Sequence, residues 1–300
     1  MHGIIPLMKP KGWTSHDCVN KIRQILNVQK VGHTGTLDPN VTGVLPICLG
    51  EATKTIPFLQ PLPKVYEAKI TLGVATTTED ADGEITDQVD IISFPTNEKI
   101  ERVLQSFVGE ITQTAPLYSA VKVKGKRLYE YARERRSVKR PQRTVTIHEL
   151  QRQPEKEPNK RTIAIKVTCS RGTYIRTLAV AIGERLGFPA HMSHLQRTET
   201  DSFTIDETVT FSDIEKAKRT NEWHDVMYPV ERALVHLPIM RISESLKHRI
   251  LQGQKLAAPE ENLVAPFVMM YKDELLAIYE YDAQRLNTIR PVRVFNMYKE

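Results

Sequence analysis

The chain is poor in cysteine, and its three, Cys18, Cys48 and Cys169, lie far apart. An odd number at such spacing makes neither a disulfide framework nor a zinc pattern. A reduced, cytoplasmic setting is therefore the expectation. Long apolar runs are lacking too. The start, Met1 to Gly12, is too short an apolar stretch for a secretory signal. No segment is long enough to cross a membrane. A phosphate-binding loop is also missing, because the glycines Gly32 and Gly35 are not followed by a Gly-Lys-Ser/Thr run. No internal repeat or low-complexity tract breaks the chain.

What remains is the composition of an ordinary globular protein. Over 300 residues, 40% are hydrophobic and 26% charged. The net charge of +6 and pI near 9.1 favour a polyanionic partner. The charge is unevenly spread. Positions 122–143 carry ten cations: Lys122, Lys124, Lys126, Arg127, Arg133, Arg135, Arg136, Lys139, Arg140 and Arg143. Only Glu130 and Glu134 oppose them, a local excess of eight that exceeds that of the whole chain. Tyr129 and Tyr131 are interleaved. Such a run reads on its own as a solvated helix face, or else as a phosphate-binding surface with strong salt dependence.

Periodicity supplies the elements. Residues 16–26 read as a helix capped by Ser15, with Cys18, Val19, Ile22, Ile25 and Leu26 on one face. Tyr66, Ala68, Ile70 and Leu72 alternate with Glu67, Lys69 and Thr71, which predicts a strand over 66–72. A helix over 97–107 shows Ile100, Val103, Leu104 and Phe107. A strand over 161–169 shows Ile163, Ile165, Val167 and Cys169. A helix over 174–186 takes Thr173 as N-cap and Gly187 as stop. Strands and helices mix without regular βα alternation, so an α+β fold with a largely antiparallel sheet is expected. A boundary is expected at Leu237-Pro238, giving domains 1–238 and 239–300. Beyond it, a helix near Ser243–Leu251 and strands near 263–271, 274–281 and 290–297 predict a small β-rich module.

Gly32-His33-Thr34-Gly35-Thr36-Leu37-Asp38-Pro39 is the most informative segment. Its glycines permit a tight turn, and Pro39 biases Asp38 towards an extended or turning geometry. By itself Asp38 reads as a turn residue. Other blocks accompany it. They are Lys9-Pro10-Lys11-Gly12-Trp13-Thr14-Ser15-His16-Asp17, Gly43-Val44-Leu45-Pro46-Ile47-Cys48 and Gly50-Glu51-Ala52-Thr53-Lys54. Further on come Lys64-Val65-Tyr66-Glu67-Ala68, Thr78-Glu79-Asp80-Ala81-Asp82-Gly83 and Ser119-Ala120-Val121-Lys122-Val123. Cys169-Ser170-Arg171-Gly172-Thr173-Tyr174-Ile175-Arg176 and His191-Met192-Ser193-His194-Leu195 complete the set. In this order they resemble the bacterial tRNA pseudouridine-55 synthases, the TruB family. Ala115, Ala181 and Gln196 depart from the usual pattern, none at a position of expected chemistry.

The resemblance implies a pseudouridine synthase core with a PUA-like C-terminal RNA-binding module. It implies isomerisation of uridine 55 in the T-loop of tRNA by a stand-alone monomer, with no guide RNA, metal or other cofactor. Asp38 corresponds to the essential acid, which attacks sugar, attacks base or removes a sugar proton. Arg176 is expected to orient it and keep it ionised; in the first turn of a helix, a cation opposes the macrodipole and can mark a functional site or merely face solvent. Tyr66 reads alone as a core tyrosine, and by resemblance stacks on the flipped uracil. Leu195 supplies the opposite apolar wall, Tyr174 supports that wall, and His33 contacts the RNA loop. The basic insert is similar to a flexible thumb that closes on the T-arm stem-loop. His191 and His194 are expected near RNA or in a polar turn, because two histidines do not define a metal site. The competing function is a non-catalytic RNA-binding protein, which needs no acid at Asp38.

Overall fold

The computed structural model describes residues 1–59, 62–154, 161–200, 202–261 and 263–297. The chain forms two compact units. One comprises Met1–Asn40, Val44–Gln60 and Asp201–Glu300, the other Val41–Gly43 and Pro61–Thr200.

In the first unit the strand Gly3–Lys9 leads into the helix Ser15–Leu26. That helix buries Cys18, Val19, Ile22, Ile25 and Leu26, the expected face, against Ile5, Leu7, Leu45, Ile47 and Ile214. Its cap differs from expectation. Thr14 occupies the N-cap, its hydroxyl accepting from the Asp17 amide at 3.0 Å, and Asp17 closes a capping box. Either hydroxyl could serve by local rules, but that of Ser15 is engaged 22 residues away. The strand Val31–His33 pairs antiparallel with Thr42–Leu49, and residues 34–41 form the loop between them.

The stretch after Pro238 builds its own five-stranded sheet. Its order is Ile239–Arg241, Phe267–Tyr271, Glu274–Tyr281, Thr288–Val294 and Leu256–Ala257. Phe267, Met269, Leu276, Tyr279 and Ile289 form a core under the helix Glu244–Leu251. The expected helix and turns are present. The strands Ile239–Arg241 and Leu256–Ala257 are too short to leave a period-two pattern. Glu51, almost fully buried, joins the early and late parts of this unit. Its Oε2 accepts from the Asn296 amide at 2.9 Å and from Lys54 Nζ at 2.6 Å, while Lys54 also donates to the Val294 carbonyl. Burial pushes the Glu51 carboxyl up, but these donors and Lys30 together hold it below its ordinary value.

The second unit is an antiparallel sheet in the order Ala190–Thr200, Lys64–Leu72, Thr162–Cys169, Gln142–Arg152 and Gly109–Thr114. Thr42 and Gly43 run parallel to Gln196 and Arg197, which makes it mixed. Helices Asn97–Gln105 and Ile175–Leu186 flank it. The fold class is therefore α+β, with a mixed, largely antiparallel sheet. The 64–72 and 162–169 strands pair in register from Thr71↔Thr162 to Lys64↔Cys169, with the expected apolar residues on one face. Gly187 ends its helix in the left-handed region at φ 93°, where glycine carries no Cβ penalty. The N-cap there is Tyr174; the Thr173 hydroxyl instead donates to the Ser170 carbonyl at 2.8 Å.

Gly43 is the tightest crossing in this unit. It sits at φ 113°, and an added Cβ would lie 2.1 Å from the Arg197 carbonyl oxygen. No side-chain rotation relieves a clash with backbone. Gly43→Ala is expected to lower stability by roughly 2–4 kcal/mol, as overpacking and backbone strain add. A fall in the urea unfolding midpoint measures it, and an unchanged midpoint shows that the two backbones can separate.

Candidate functional site

Asp38 lies half-buried in the 34–41 loop of the first unit. Both of its neighbours are fixed. The Ser15 hydroxyl accepts from the Leu37 amide at 2.9 Å and lies 3.3 Å from the Leu37 carbonyl. On the other side, Lys9 Nζ donates to the Pro39 carbonyl at 2.8 Å and the Gly12 amide donates to the same oxygen at 2.9 Å. Lys9 is completely buried, and its ammonium also donates to the Pro10 carbonyl. Charge-assisted bonds of this kind contribute about 1.5–3 kcal/mol each. The segment Lys9–Ser15 thus holds the peptide on each side of the acid. His33 ends the strand Val31–His33, opposite Ile47, and is half-buried.

The remaining expected residues belong to the second unit. Tyr66 pairs with Arg197, and Ala68 with Leu195, across the antiparallel 64–72 and 190–200 strands. Paired residues share a face, so Tyr66 and Leu195 are diagonal neighbours on the covered side of the sheet. Leu195 is buried and Tyr66 half-buried. Tyr174 stands at the N-cap of the 175–186 helix. Its amide donates to Gln113 Oε1 at 2.9 Å and its carbonyl accepts from Gln113 Nε2 at 3.0 Å. Its hydroxyl accepts from Arg143 Nη2 at 2.8 Å, and that guanidinium lies 4.7 Å from the ring centroid.

Arg176 is 6% exposed, which removes the solvent-facing reading of its place in the first helical turn. Nη1 donates to the Thr78 carbonyl at 3.0 Å and Nη2 to the Tyr118 carbonyl at 3.1 Å. Nε lies 3.8 Å from Asp80 Oδ2. These acceptors offset the unfavourable macrodipole position, and their directions use the planar fork of the guanidinium. Thr177, the next residue, donates to Glu79 Oε2 at 2.8 Å. The first turn of the helix therefore seizes the whole 78–80 turn. Glu79 itself is held at φ 65°, with its carbonyl accepting from the Met192 amide.

Asp80 and Gln113 are partners that sequence reasoning misses, although Asp80 falls within one of the motif blocks. An acid within a turn-like acidic cluster gives no hint of a partner 96 positions on, and a strand glutamine gives none at all. His191 is buried with Nδ1 at 2.8 Å from the Val74 carbonyl, while His194 is exposed at a bulge of the same strand.

The basic insert forms a hairpin, Lys122–Val123 and Lys126–Arg127, followed by the helix Leu128–Arg133. Lys124 and Gly125 both have positive φ, the geometry of a two-residue hairpin turn. Leu128 and Tyr131 are buried, and the Tyr131 hydroxyl donates to the Val123 carbonyl at 3.0 Å. The nine cations from Lys122 to Arg140 are exposed. Lys126 and Arg136 pair with Glu134. Arg143 differs: it starts the strand Gln142–Arg152 opposite Gln113 and is engaged with Tyr174.

The comparisons with known proteins are concordant. Residues 23–175 match the family model described as TruB family pseudouridylate synthase, N-terminal domain, and residues 176–235 match the tRNA pseudouridylate synthase B C-terminal domain. The tRNA pseudouridine synthase B of Oceanobacillus iheyensis is 50% identical over 297 residues, covering 98% of each chain. That of Geobacillus kaustophilus is 52% identical over 262 residues, covering 86% of this chain and 92% of its own. Among solved structures, an H/ACA RNP bound to a substrate RNA containing 2′-deoxyuridine is similar at TM-score 0.73 and 29% identity, covering 98% of this chain and 85% of that one. A Cbf5–Nop10–Gar1 complex is similar at TM-score 0.72 and 32% identity, covering 93% and 78%.

The Glu79 carboxyl supplies a test of the geometry. Burial raises it above its ordinary 4.5, and the Thr177 hydroxyl with the Arg176 and Arg140 guanidiniums only partly offsets that. A folded-state value above the unfolded one means stability is fullest below the unfolded value and declines as pH rises through the folded value. Glu79→Gln has no charge to desolvate. Its stability relative to wild type should therefore improve as pH is raised from below the ordinary value of 4.5 through the raised folded-state value. Urea midpoints at several pH values measure this, and parallel curves would show that Glu79 is solvated.

Proposed function

The chain belongs to the TruB family of pseudouridylate synthases, and from that premise we propose that it isomerises uridine 55 in the T-loop of tRNA, alone and without guide RNA. At the coarser level it is a tRNA pseudouridine synthase, an isomerase that changes no atom count. The C1′–N1 bond of the uridine breaks, and a C1′–C5 bond forms. C5 then loses its proton, and N1 ends protonated. The base must leave its stack for its reacting atoms to be reached.

In this proposal Asp38 carries the chemistry as a carboxylate, either as covalent nucleophile or as base. The observation that supports it most is the double clamp on its neighbours. A residue held on each side by Lys9, Gly12 and Ser15 has little freedom to lose when it meets substrate. Arg176 is assigned the task of keeping the acid ionised and oriented. Tyr66 and Leu195, neighbours on one sheet face, are assigned to the two sides of the extruded uracil, with Tyr174 behind them. His33 is assigned to the RNA loop. The exposed cations Lys122 to Arg140, and Arg143 with them, are assigned to RNA binding at the T-arm. Residues 1–238 form the catalytic domain in this scheme, and 239–300 a PUA-like RNA-binding domain. The purified monomer is expected to convert one T-loop uridine of a bare transcript after chelator treatment. Strict dependence on metal, nucleotide or a guide RNA overturns the stand-alone scheme.

Asp38→Asn is nearly isosteric and removes only the ionisable group. It should abolish turnover and keep most tRNA affinity, read by single-turnover assay and filter binding. Activity within about tenfold of wild type, a barrier change of only about 1.4 kcal/mol, removes Asp38 from the chemistry.

Neutralising Arg135, Arg136, Lys139 and Arg140 together should weaken tRNA binding and flatten its salt dependence. Every cation that no longer neutralises a phosphate reduces the log–log slope by roughly 0.7 to 0.9. Turnover at saturating tRNA should stay near wild type. An unchanged slope makes the insert a solvated face, and normal affinity with collapsed turnover moves it into base extrusion.

A further inference from the structure

Arg143 stands apart from the other cations of the basic insert. It is partly buried and lies inside the sheet, directly opposite Gln113 across the 142–152 and 109–114 strands. Directly paired residues share a face. This pair shares a target as well, because both side chains reach Tyr174.

They hold different parts of it. Gln113, 4% exposed, takes the main chain: its Oε1 accepts from the Tyr174 amide, and its Nε2 donates to the Tyr174 carbonyl. The same carbonyl accepts from the Leu178 amide at 3.0 Å, so the clamp extends into the helical turn that carries Arg176. Arg143 takes the side chain. Nη2 donates to the hydroxyl, the guanidinium lies 4.7 Å from the ring centroid, and Nη1 donates to the Gly172 carbonyl at 3.3 Å. The room for that guanidinium depends on Gly172. A Cβ there would stand 2.6 Å from Arg143 Nη1, on a backbone at φ 85°.

The pair sits where the insert joins the sheet. The Pro141 carbonyl accepts from the Ala115 amide at 3.0 Å, and the next ladder positions are Gln142 with Thr114 and Arg143 with Gln113. Arg140, an exposed cation, precedes Arg143 by three residues. A force that RNA exerts on the insert therefore reaches Tyr174 through a short stretch of chain and one strand pair. A guanidinium that forks onto Tyr174 and Gly172 gives up that geometry if it turns to a phosphate.

We propose that Arg143 and Gln113 are positioning residues for Tyr174, and that Arg143 serves RNA binding through that tyrosine, not through a phosphate. The inference rests on the proposed function, which sets Tyr174 behind the walls of the extruded uracil.

The test uses the full chain and an unmodified T-arm stem-loop. Arg143→Lys keeps the charge and loses the fork. Its single-turnover rate at saturating RNA should fall roughly ten- to a hundredfold, the scale of a misplaced active-site group. Arg143→Ala should fall at least as far, yet the log–log salt slope of its binding should match wild type. In a Tyr174→Ala background, Arg143→Lys should cost little more. Gln113→Met keeps the length and removes both hydrogen bonds, and it should show the same slow rate with an unchanged slope. A phosphate contact gives the opposite pattern: a normal rate for Arg143→Lys, and a slope reduced by roughly 0.7 to 0.9 in Arg143→Ala. A lowered urea midpoint with normal rates makes the pair a prop of the fold alone. Either result overturns the proposal, as do losses that multiply fully in the double variant. If Arg143→Lys does not fold, Gln113→Met decides, alone and in the Tyr174→Ala background. If the wild-type chain makes no pseudouridine on the stem-loop, the proposed function fails and this inference with it. If it does, the outcomes above bear on Arg143 and Gln113 alone.

Discussion

A buried ammonium must find acceptors, and that requirement fixes the loop that carries Asp38. Lys9 ends the first strand with no exposed surface, and the carbonyls of Pro10 and Pro39 accept hydrogen bonds from its ammonium. Removing a loop acceptor would leave a desolvated cation short of a partner, at a cost well beyond one ordinary hydrogen bond. The loop is held for the sake of the lysine as much as the lysine for the loop. Ser15 adds the second hold, and to do so it gives up the local role of cap, which passes to Thr14. The helix 15–26 then serves two ends. Its apolar face fills the core, and its first residue anchors the peptide before the acid.

A similar economy organises the second unit. One helical turn presents Arg176 and Thr177 to the 78–80 turn, and one guanidinium gathers Thr78, Tyr118 and Asp80. The arrangement joins segments far apart in sequence through a planar group that a lysine could not imitate. The folded hairpin and helix of the basic insert are anchored by Leu128 and Tyr131, so their cations are displayed from a built scaffold. Local ion pairs to Glu134 restrain only Lys126 and Arg136.

Elements with a strong period were legible in the sequence. The helices at 15–26 and 175–186, the strands at 64–72 and 162–169, and the late β-rich module all follow from apolar spacing. Boundaries and caps were less so. Thr14 and Ser15 are chemically equivalent candidates, and only the distant Leu37 peptide separates them. The strand 190–200 carries no clean alternation, because bulges after Met192 and Arg197 shift its register. In the candidate site, the motif blocks single out Asp38, Tyr66, Arg176 and Leu195, and the structure places Tyr66 and Leu195 on one sheet face. Asp80 and Gln113 were not legible, since their importance lies in partners that no local pattern reveals. Arg143 counted as one more cation in a basic run, whereas the fold engages it with an aromatic ring.

The clasp between Glu51 and Asn296 bears on how the protein is made. Its two halves are separated by 245 residues, and the first strand likewise bridges to Val209 and Tyr228. On a ribosome delivering residues from the N-terminus, the stretch 61–200 emerges as one nearly continuous body able to collapse early. The earlier residues must wait for partners translated last. Birth order and folding order are thus reversed for the segment that holds Asp38. The surroundings of the 34–41 loop are therefore completed only when the partners of the first strand, Val209 and Tyr228, have been synthesised.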